Sequence, residues 1–359
     1  MTTAIADVVI GKSGQCNFCD LHDSLEKSSK LYPFFTEKLP KIKKQKSKYH
    51  CLLGISGGLD SSVLLYYTVK VWGLNPLVIH FDNGWNCREA NENIDIMAKA
   101  MNVDFIRYHI NKQEYDDLCL SFLLASVSDA DIANDMAMAE LMLRTASQYK
   151  IKYIFNGHNF RTEGSSPLSW SYMDAKYLES VYAKYNEGKK LKSFPLLTFW
   201  KQLYYTFTGI KRENPLYHLN PNMQEEKKRL IDKFGWREYG GKHAENIYTE
   251  FIGSYYLPVK FGIDKRITYN SALIRSGQMP KTKVYFSPLP QFDVSKIDLV
   301  CRGLGIKREY FDNVIMKAEW NTFEDFETYH KMFKRYKWFF YILSRLHLIP
   351  PTFYIKYCR

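Results

Sequence analysis

In GISGGLDSSVLL, Gly54 to Leu65, three glycines, an aspartate and three serines stand ahead of an aliphatic run. The apolar HCLLGI before the loop reads as a strand, and SSVLLYYTVKVW after it as a helix. The loop therefore sits at a helix N-terminus, where unpaired N–H groups and the helix dipole favour an anion. Gly57 and Gly58 permit positive φ and let a phosphate approach the backbone, and Ser56, Ser61 and Ser62 add hydroxyl donors. Asp60 either caps the helix or holds a metal-bound water beside the phosphates. The common triphosphate loop needs a glycine, four residues, then Gly-Lys-Ser/Thr. No lysine follows Ile55 in the loop, and the GKS at Gly11–Ser13 has Ala6 where the first glycine belongs. A phosphate loop without lysine suits gripping pyrophosphate as a leaving group while chemistry proceeds at the α-phosphate. ATP with Mg²⁺ is the expected ligand.

Other polar clusters fall at strand ends. HFDNGWN closes a second apolar run, and places the main chain of His80 and Phe81 toward an adenine base, with Asp82 or Asn83 toward its polar edges. A simple strand-ending turn is the other reading of that stretch. FNGHN closes a fourth run: Gly157 permits close approach, while His158 and Asn159 reach the α-phosphate or the group being activated. Glu163 stands close enough in sequence to share Mg²⁺ with Asp60. GGKHAEN supplies Lys242, His243 and Glu245, and KFGIDKR supplies Lys260, Lys265 and Arg266. These cations neutralise the charge on departing pyrophosphate, or instead hold the diphosphate of a sugar nucleotide. Cys16 and Cys19 form one C-x-x-C; with His22 as a candidate third ligand, a closed four-ligand zinc site is not visible.

The elements that must position these residues alternate in type. PLVIHF, VDFIRYHI and IKYIFNG join HCLLGI as strands beginning near 50, 76, 103 and 151. Helical spacing runs through Ser61–Trp72, Glu89–Met101 and Ala133–Tyr149. Strands alternating with helices imply βαβ units and an α/β doubly wound parallel sheet, with ligands at the carboxyl ends of the strands. Four regions follow: a polar preamble, 1–48, with the C-x-x-C; an ATP-binding core, 49–165; a region of sugar-side and cationic motifs, 166–315; and a basic aromatic tail, 316–359. No regular pattern is legible in 161–240, and there are no internal repeats.

Composition sets outer bounds. With 46% hydrophobic and 25% charged residues, the 359-residue chain is globular with a real core. The net charge of +12 implies an anionic partner: nucleotide, sugar nucleotide, nucleic acid or membrane surface. Seven irregularly spaced cysteines argue against a disulfide framework. No run approaches the roughly 18 apolar residues of a membrane span, and no signal peptide is evident, so a cytoplasmic location is expected. From Lys331 onward seven basic residues and no acid accompany many aromatics, a pattern for a packed terminal helix with snorkelling lysines or for peripheral membrane contact.

SGGLDSS resembles the pyrophosphate loop of the PP-loop ATP pyrophosphatases, the group that includes GMP synthetase, NAD synthetase and tRNA-thiolating enzymes. That resemblance implies a doubly wound ATP-binding sheet, adenylation of a carbonyl oxygen and release of pyrophosphate. FDNGWNCREANENI, FNGHNFRTEGS, WSYMDAKYLESV, KHAENIYTEFIGSYYLPVKFGIDKR and LIRSGQM together resemble the N-acetyl sugar amidotransferases of surface-polysaccharide biosynthesis (the WbpG/PseA type), in order from about Cys16 to Met279. The family likeness implies sugar-side roles for Trp170 and Asp174. It also implies two C-x-x-C pairs read as a zinc knuckle, and a cysteine before Ser-Gly-Gln; this chain has one pair, with Arg275 in that cysteine's place.

The combined reading is an amidotransferase of LPS, O-antigen or other surface-glycan biosynthesis. It adenylates the acetamido carbonyl of a sugar, most simply a nucleotide-linked one, and replaces the oxygen with ammonia to give an acetamidino group. No cysteine has glycine two residues away on both sides, as a Gly-x-Cys-x-Gly glutaminase requires, so the ammonia is expected from a separate glutaminase subunit. No nucleic-acid partner is expected. The alternatives are a tRNA-modifying enzyme of the same fold, a thiolase or lysidine-type ligase, and a non-enzymatic nucleotide-binding regulator.

Overall fold

Four short apolar runs, each ending in a polar cluster, become four parallel strands: β1 (Cys51–Gly54), β2 (Pro76–Asp82), β3 (Asp104–His109) and β4 (Tyr153–Phe155). The computed structural model describes residue 5, residues 7–283 and 292–345, and positions 354 and 358. A fifth strand, β5 (Lys211–Glu213), extends the sheet in the order β3-β2-β1-β4-β5, all neighbours parallel. β5 lies in the stretch whose sequence shows no regular pattern. Its three residues, Lys-Arg-Glu, carry no apolar run, and pairing with β4 alone makes them a strand.

Alternation along the strands separates two cores. Leu52, Leu77, Ile79, Phe81 and Ile154 face one side and pack with helices Lys112–Leu124 and Ile132–Gln148. Cys51, Leu53, Val78 and Phe155 face the other, against helices Leu59–Tyr66 and Arg88–Met101. Both faces covered, with period-2 side-chain alternation, is the doubly wound α/β arrangement. Its strand order reverses between β1 and β4, and a cleft opens at such a switch point beyond the strands' carboxyl ends.

The region after 240 is mostly helical and bound together by aromatics. Phe251 packs on Tyr255, Tyr256, Phe292 and Phe311. Helix Arg266–Arg275 lies against the short helix Phe160–Glu163 that follows β4, and helix Asn17–Leu31 leans on both. The tail is helical over His330–Arg335 and Lys337–Arg345; Phe333 and Phe340 are buried, whereas Trp338 and Phe339 are exposed. The rest of that basic tail, apart from positions 354 and 358, lies outside the described residues. Among the described residues no helix is long and apolar enough to cross a membrane.

Candidate active site

The loop after β1 turns at Gly57, where φ is +80° and a Cβ would stand 2.2 Å from the carbonyl oxygen of Ala90. Only glycine fits there. Ser56 and Ser61 brace each other with their Oγ atoms 3.3 Å apart, and Ser56 Oγ accepts the Gly58 N–H at 3.2 Å. Ser62 departs from the sequence expectation. It is buried, donates to the Gly58 carbonyl at 2.8 Å and accepts Trp236 Nε1–H at 3.2 Å, so its hydroxyl supports the loop instead of facing a phosphate.

Across the switch point, β4 delivers Gly157, where a Cβ would stand 3.5 Å from the Ser61 backbone. His158 is held on both sides, with Nδ1 2.6 Å from Tyr217 Oη and Nε2 3.1 Å from Glu163 Oε2. Asn159 is wholly buried; its Oδ1 accepts the Arg161 N–H at 3.1 Å, while its Nδ2 has no partner among the described residues.

A third wall comes from residues 236–247, which cross over the loop. Tyr239 Oη accepts the Leu59 N–H at 3.2 Å. The Glu245 carbonyl accepts the Cys87 N–H at 2.9 Å, and Ile247 N–H donates to the Trp85 carbonyl at 2.8 Å. Asn246 Nδ2 reaches Asn83 Oδ1 at 3.0 Å and Asn86 Oδ1 at 3.2 Å. This crossing carries Lys242 to a point 3.7 Å from Asp60 Oδ2 and 3.6 Å from Glu163 Oε1. It also sets Glu245 Oε1 2.9 Å from where a Cβ on Gly58 would stand.

Asp60, Glu163 and Glu245 thus surround one lysine. Burial pushes Asp60 up to about 6, with Lys242 opposing and Glu163 adding to the rise. Burial likewise pushes Glu245 up to about 7, opposed by its own backbone N–H and by Lys242. His243, beside them at a positive φ of 64°, is held neutral: burial and then Lys242 bring it down to about 4. Asp60 Oδ1 and Glu245 Oε2 are buried without a hydrogen-bond partner among the described residues. Excess carboxylate oxygen at a phosphate loop fits Mg²⁺, which takes one or two carboxylates and completes its shell with phosphates and water. Among the described residues no cluster of three or more His, Cys, Asp or Glu side chains that could hold a metal is present.

Lys265 joins the rim opposite Asp131, a residue the sequence reading passed over. Burial raises Asp131 to about 7, Lys265 opposes the rise, and Thr249 Oγ1 lies 3.2 Å from Asp131 Oδ1. Tyr217, Tyr239 and Asn246 give little signal in the sequence: each acts on a distant segment, and the last two border GGKHAEN, where the charged residues stand out first. At the switch point itself a cavity of 220 Å³ opens between Gly54 and Gly157, walled by Met138, Met142 and Phe155 with Arg212 at its side.

Several expected site residues are used elsewhere. His80 Nδ1 bonds the Ile55 carbonyl at 2.8 Å, and Phe81 packs in the core against Tyr108 and Tyr115. Asp82 pairs with His109 at 3.2 Å, and buried Asn83 joins Tyr115, Asn134 and Asn246. These four side chains brace the floor of the cleft, and the expectation for His80 and Phe81 rests on their main chain. Lys260 Nζ donates to the carbonyls of Ile315, Met316 and Ala318 at 2.6, 3.2 and 2.9 Å, so its charge closes a helix end and is not offered to pyrophosphate. The Arg266 guanidinium folds onto Asp264. Asp174 caps helix Ala175–Tyr185 through the Tyr177 N–H at 2.7 Å and also binds Tyr172 Oη; Trp170 is buried nearby. Asp174 thus serves the fold as a helix cap.

Among the described residues the C-x-x-C lacks a closed set of four zinc ligands. Cys16 and Cys19 Sγ stand 3.3 Å apart, but His22 turns its Nε2 toward Ser276 Oγ, and no third metal-binding side chain joins them among the described residues.

Two family models match the chain. Residues 50–202 match the phosphoadenosine phosphosulfate reductase domain, and residues 245–340 match the C-terminal domain of WbpG-like LPS biosynthesis proteins. The uncharacterized protein MJ1599 of Methanocaldococcus jannaschii is 33% identical over 248 residues, covering 69% of this chain and 75% of that protein. The glutamine-hydrolyzing GMP synthase of Thermosipho africanus is 29% identical over 90 residues, 25% of this chain and 18% of that one. Among solved structures, the U34-tRNA thiolase NcsA of Methanococcus maripaludis, with its 4Fe-4S cluster, aligns over 86% of this chain and 94% of its own at 16% identity. The TM-score of that alignment is 0.31.

Proposed function

Because this chain belongs to the WbpG-like family of PP-loop ATP-using enzymes, we propose that it converts the acetamido group of a sugar, carried on a nucleotide, to an acetamidino group with ATP and ammonia. The observation that carries the reading is where the WbpG-like segment begins. Its first residue, Glu245, faces the phosphate loop at Gly58, so the family-specific region supplies a wall of the ATP cleft.

In this reading the nucleobase occupies the cavity between Gly54 and Met142, and the triphosphate lies along the Ser56–Ser61 loop. Mg²⁺, when bound, would be held by Asp60 and Glu163 and would neutralise phosphate charge. The acetamido oxygen attacks the α-phosphorus and pyrophosphate leaves. Lys242, already poised between two carboxylates, meets the charge that builds on the leaving group. Ammonia then attacks the imidoyl carbon, AMP departs, and the nitrogen stays. His158, oriented by Tyr217 and Glu163, and the unpaired Nδ2 of Asn159 stand at the end of β4 where the reacting carbon must lie. Most of the enzyme's contribution is positioning and charge neutralisation. A separate glutaminase subunit supplies the ammonia.

The test is ATP turnover by the full chain with Mg²⁺, ammonium and a panel of nucleotide-linked acetamido sugars, with products resolved by mass spectrometry. Sugar-dependent AMP and pyrophosphate, with a product in which NH replaces O, supports the proposal. AMP formation that requires tRNA and ignores every sugar overturns it in favour of RNA modification, the reading that the net charge of +12 keeps in play.

A further inference from the structure

Cys16 is the N-cap of helix Asn17–Leu31 and has extended backbone dihedrals, φ −85° and ψ 155°, which turn its thiol onto Cys19 one turn along. The two Sγ atoms are 3.3 Å apart, and neither cysteine is in a disulfide. A metal in this place would need two more ligands, and the neighbourhood is already filled. His22 is buried with Nε2 3.4 Å from Ser276 Oγ and its ring edge on Phe160. The Arg275 guanidinium enters from helix Arg266–Arg275, pairs with Asp23 and stands close enough to Cys19 for its charge to favour that residue's thiolate. A fixed cation therefore stands where a metal ion would otherwise supply positive charge, and it would repel one.

We propose that Cys16 and Cys19 are a redox-active dithiol that closes to a disulfide by exchange with a small-molecule disulfide of the glutathione class, with Arg275 as the cation beside it. The geometry meets the needs of exchange: two thiols within reach of each other at a helix N-terminus, with a guanidinium to steady a thiolate. One thiol, as the thiolate, attacks a sulfur of the small disulfide; an S–S bond forms and one glutathione thiolate leaves and takes up the proton. The other cysteine, losing its own proton, then attacks the protein sulfur of that mixed disulfide and expels the second glutathione as a thiol. The protein dithiol gives up two electrons and two protons, and one glutathione disulfide becomes two glutathiones. This inference does not depend on which substrate the ATP cleft takes.

The test uses the full chain, purified with reductant and then equilibrated in buffers of glutathione and its disulfide. Thiols are trapped by alkylation under denaturing conditions and counted by mass. All seven cysteines should alkylate in the reduced protein. After oxidation two alkylations should be lost together, both mapping to the peptide of Cys16 and Cys19. Cys16→Ser should leave one glutathione stably attached at Cys19, because nothing remains to resolve it, and the purified wild type should hold substoichiometric zinc. Arg275→Gln should slow exchange about tenfold near neutral pH. Seven alkylations in every glutathione buffer would overturn the proposal. So would one zinc per chain that protects both thiols until a chelator strips it. An unchanged rate in Arg275→Gln would overturn the role given to the guanidinium.

Discussion

Asp60 and Glu245 are held above the range where carboxyls normally ionise, and the two differ in what they do for the protein. Glu245 ordinarily titrates near 4.5 and here at about 7. Between those values the folded chain holds a proton that the unfolded chain has released, so this group's contribution to stability falls as pH rises through the window. His80 and His243, both depressed to about 4 from 6.5, act the other way, since the unfolded chain binds protons that the fold rejects. The comparison with Glu245→Gln isolates the carboxyl. The variant should gain stability relative to wild type on going from pH 5 to pH 8, read as a rising difference in melting temperature of the ligand-free proteins. Asp60, raised in the same direction to about 6, is likewise costly to the fold when ionised but is needed by the ligand. Asp60→Asn should melt no lower than wild type at pH 8, yet lose at least about 100-fold in Mg²⁺-dependent AMP formation. Gly57→Ala fails for a different reason, with the new methyl pressed onto the Ala90 carbonyl at a positive φ. It should cost at least about 2 kcal/mol in denaturant unfolding.

At the scale of elements, the glycine-serine loop and the strand-helix alternation around it were legible because their causes are local. A buried parallel strand needs a continuous apolar run, and a phosphate loop needs residues without Cβ atoms. That is why β1 to β4 lie within three residues of where the runs begin, and why positive φ could be expected at the Gly57-Gly58 pair, where Gly57 alone takes it. β5 could not be read, because Lys-Arg-Glu becomes a strand only by pairing with β4. Lys260 and Asp174 misled for a related reason: a charged residue in a polar motif looks available until its long-range partners are known, and three carbonyls claim the one while a helix N-terminus claims the other. The crossing segment 236–247 is the largest element the local pattern concealed, and Asn246 is its anchor. Its Nδ2 ties Asn83 and Asn86, while its Oδ1 caps helix Ile247–Phe251 through the Thr249 N–H at 3.0 Å. Asn246→Ala should destabilise the chain by about 1–2 kcal/mol through the lost cap. It should also raise the KM for ATP, because Lys242 and Glu245 ride on the loosened segment. Denaturant unfolding and initial-rate kinetics on the same preparation separate the two effects.

For the whole molecule, the question is where the net charge of +12 acts. The ATP cleft does not hold it: Asp60, Glu163 and Glu245 outnumber Lys242 there, and Lys265 at the rim faces Asp131. From Lys331 to Arg345 there are five basic residues and no acid, beside the exposed rings of Trp338 and Phe339. A cleft this short of positive charge suits one small polyphosphate with its own magnesium, and under the proposed function the basic surface of the tail would contribute little to so small a substrate. A folded RNA is a different ligand, since it would have to lie across many of those surface cations. Six to ten phosphate contacts lose about 10³–10⁵ in affinity between 50 and 200 mM salt. A sugar nucleotide brings two phosphates and has few counterions to release. The KM for the sugar substrate should therefore change less than about threefold over that salt range, measured with Mg²⁺·ATP saturating. A fall in kcat/KM of about 10³ over the same range would mean that the basic surface binds the substrate, and that the substrate is a polyanion too long for the cleft alone.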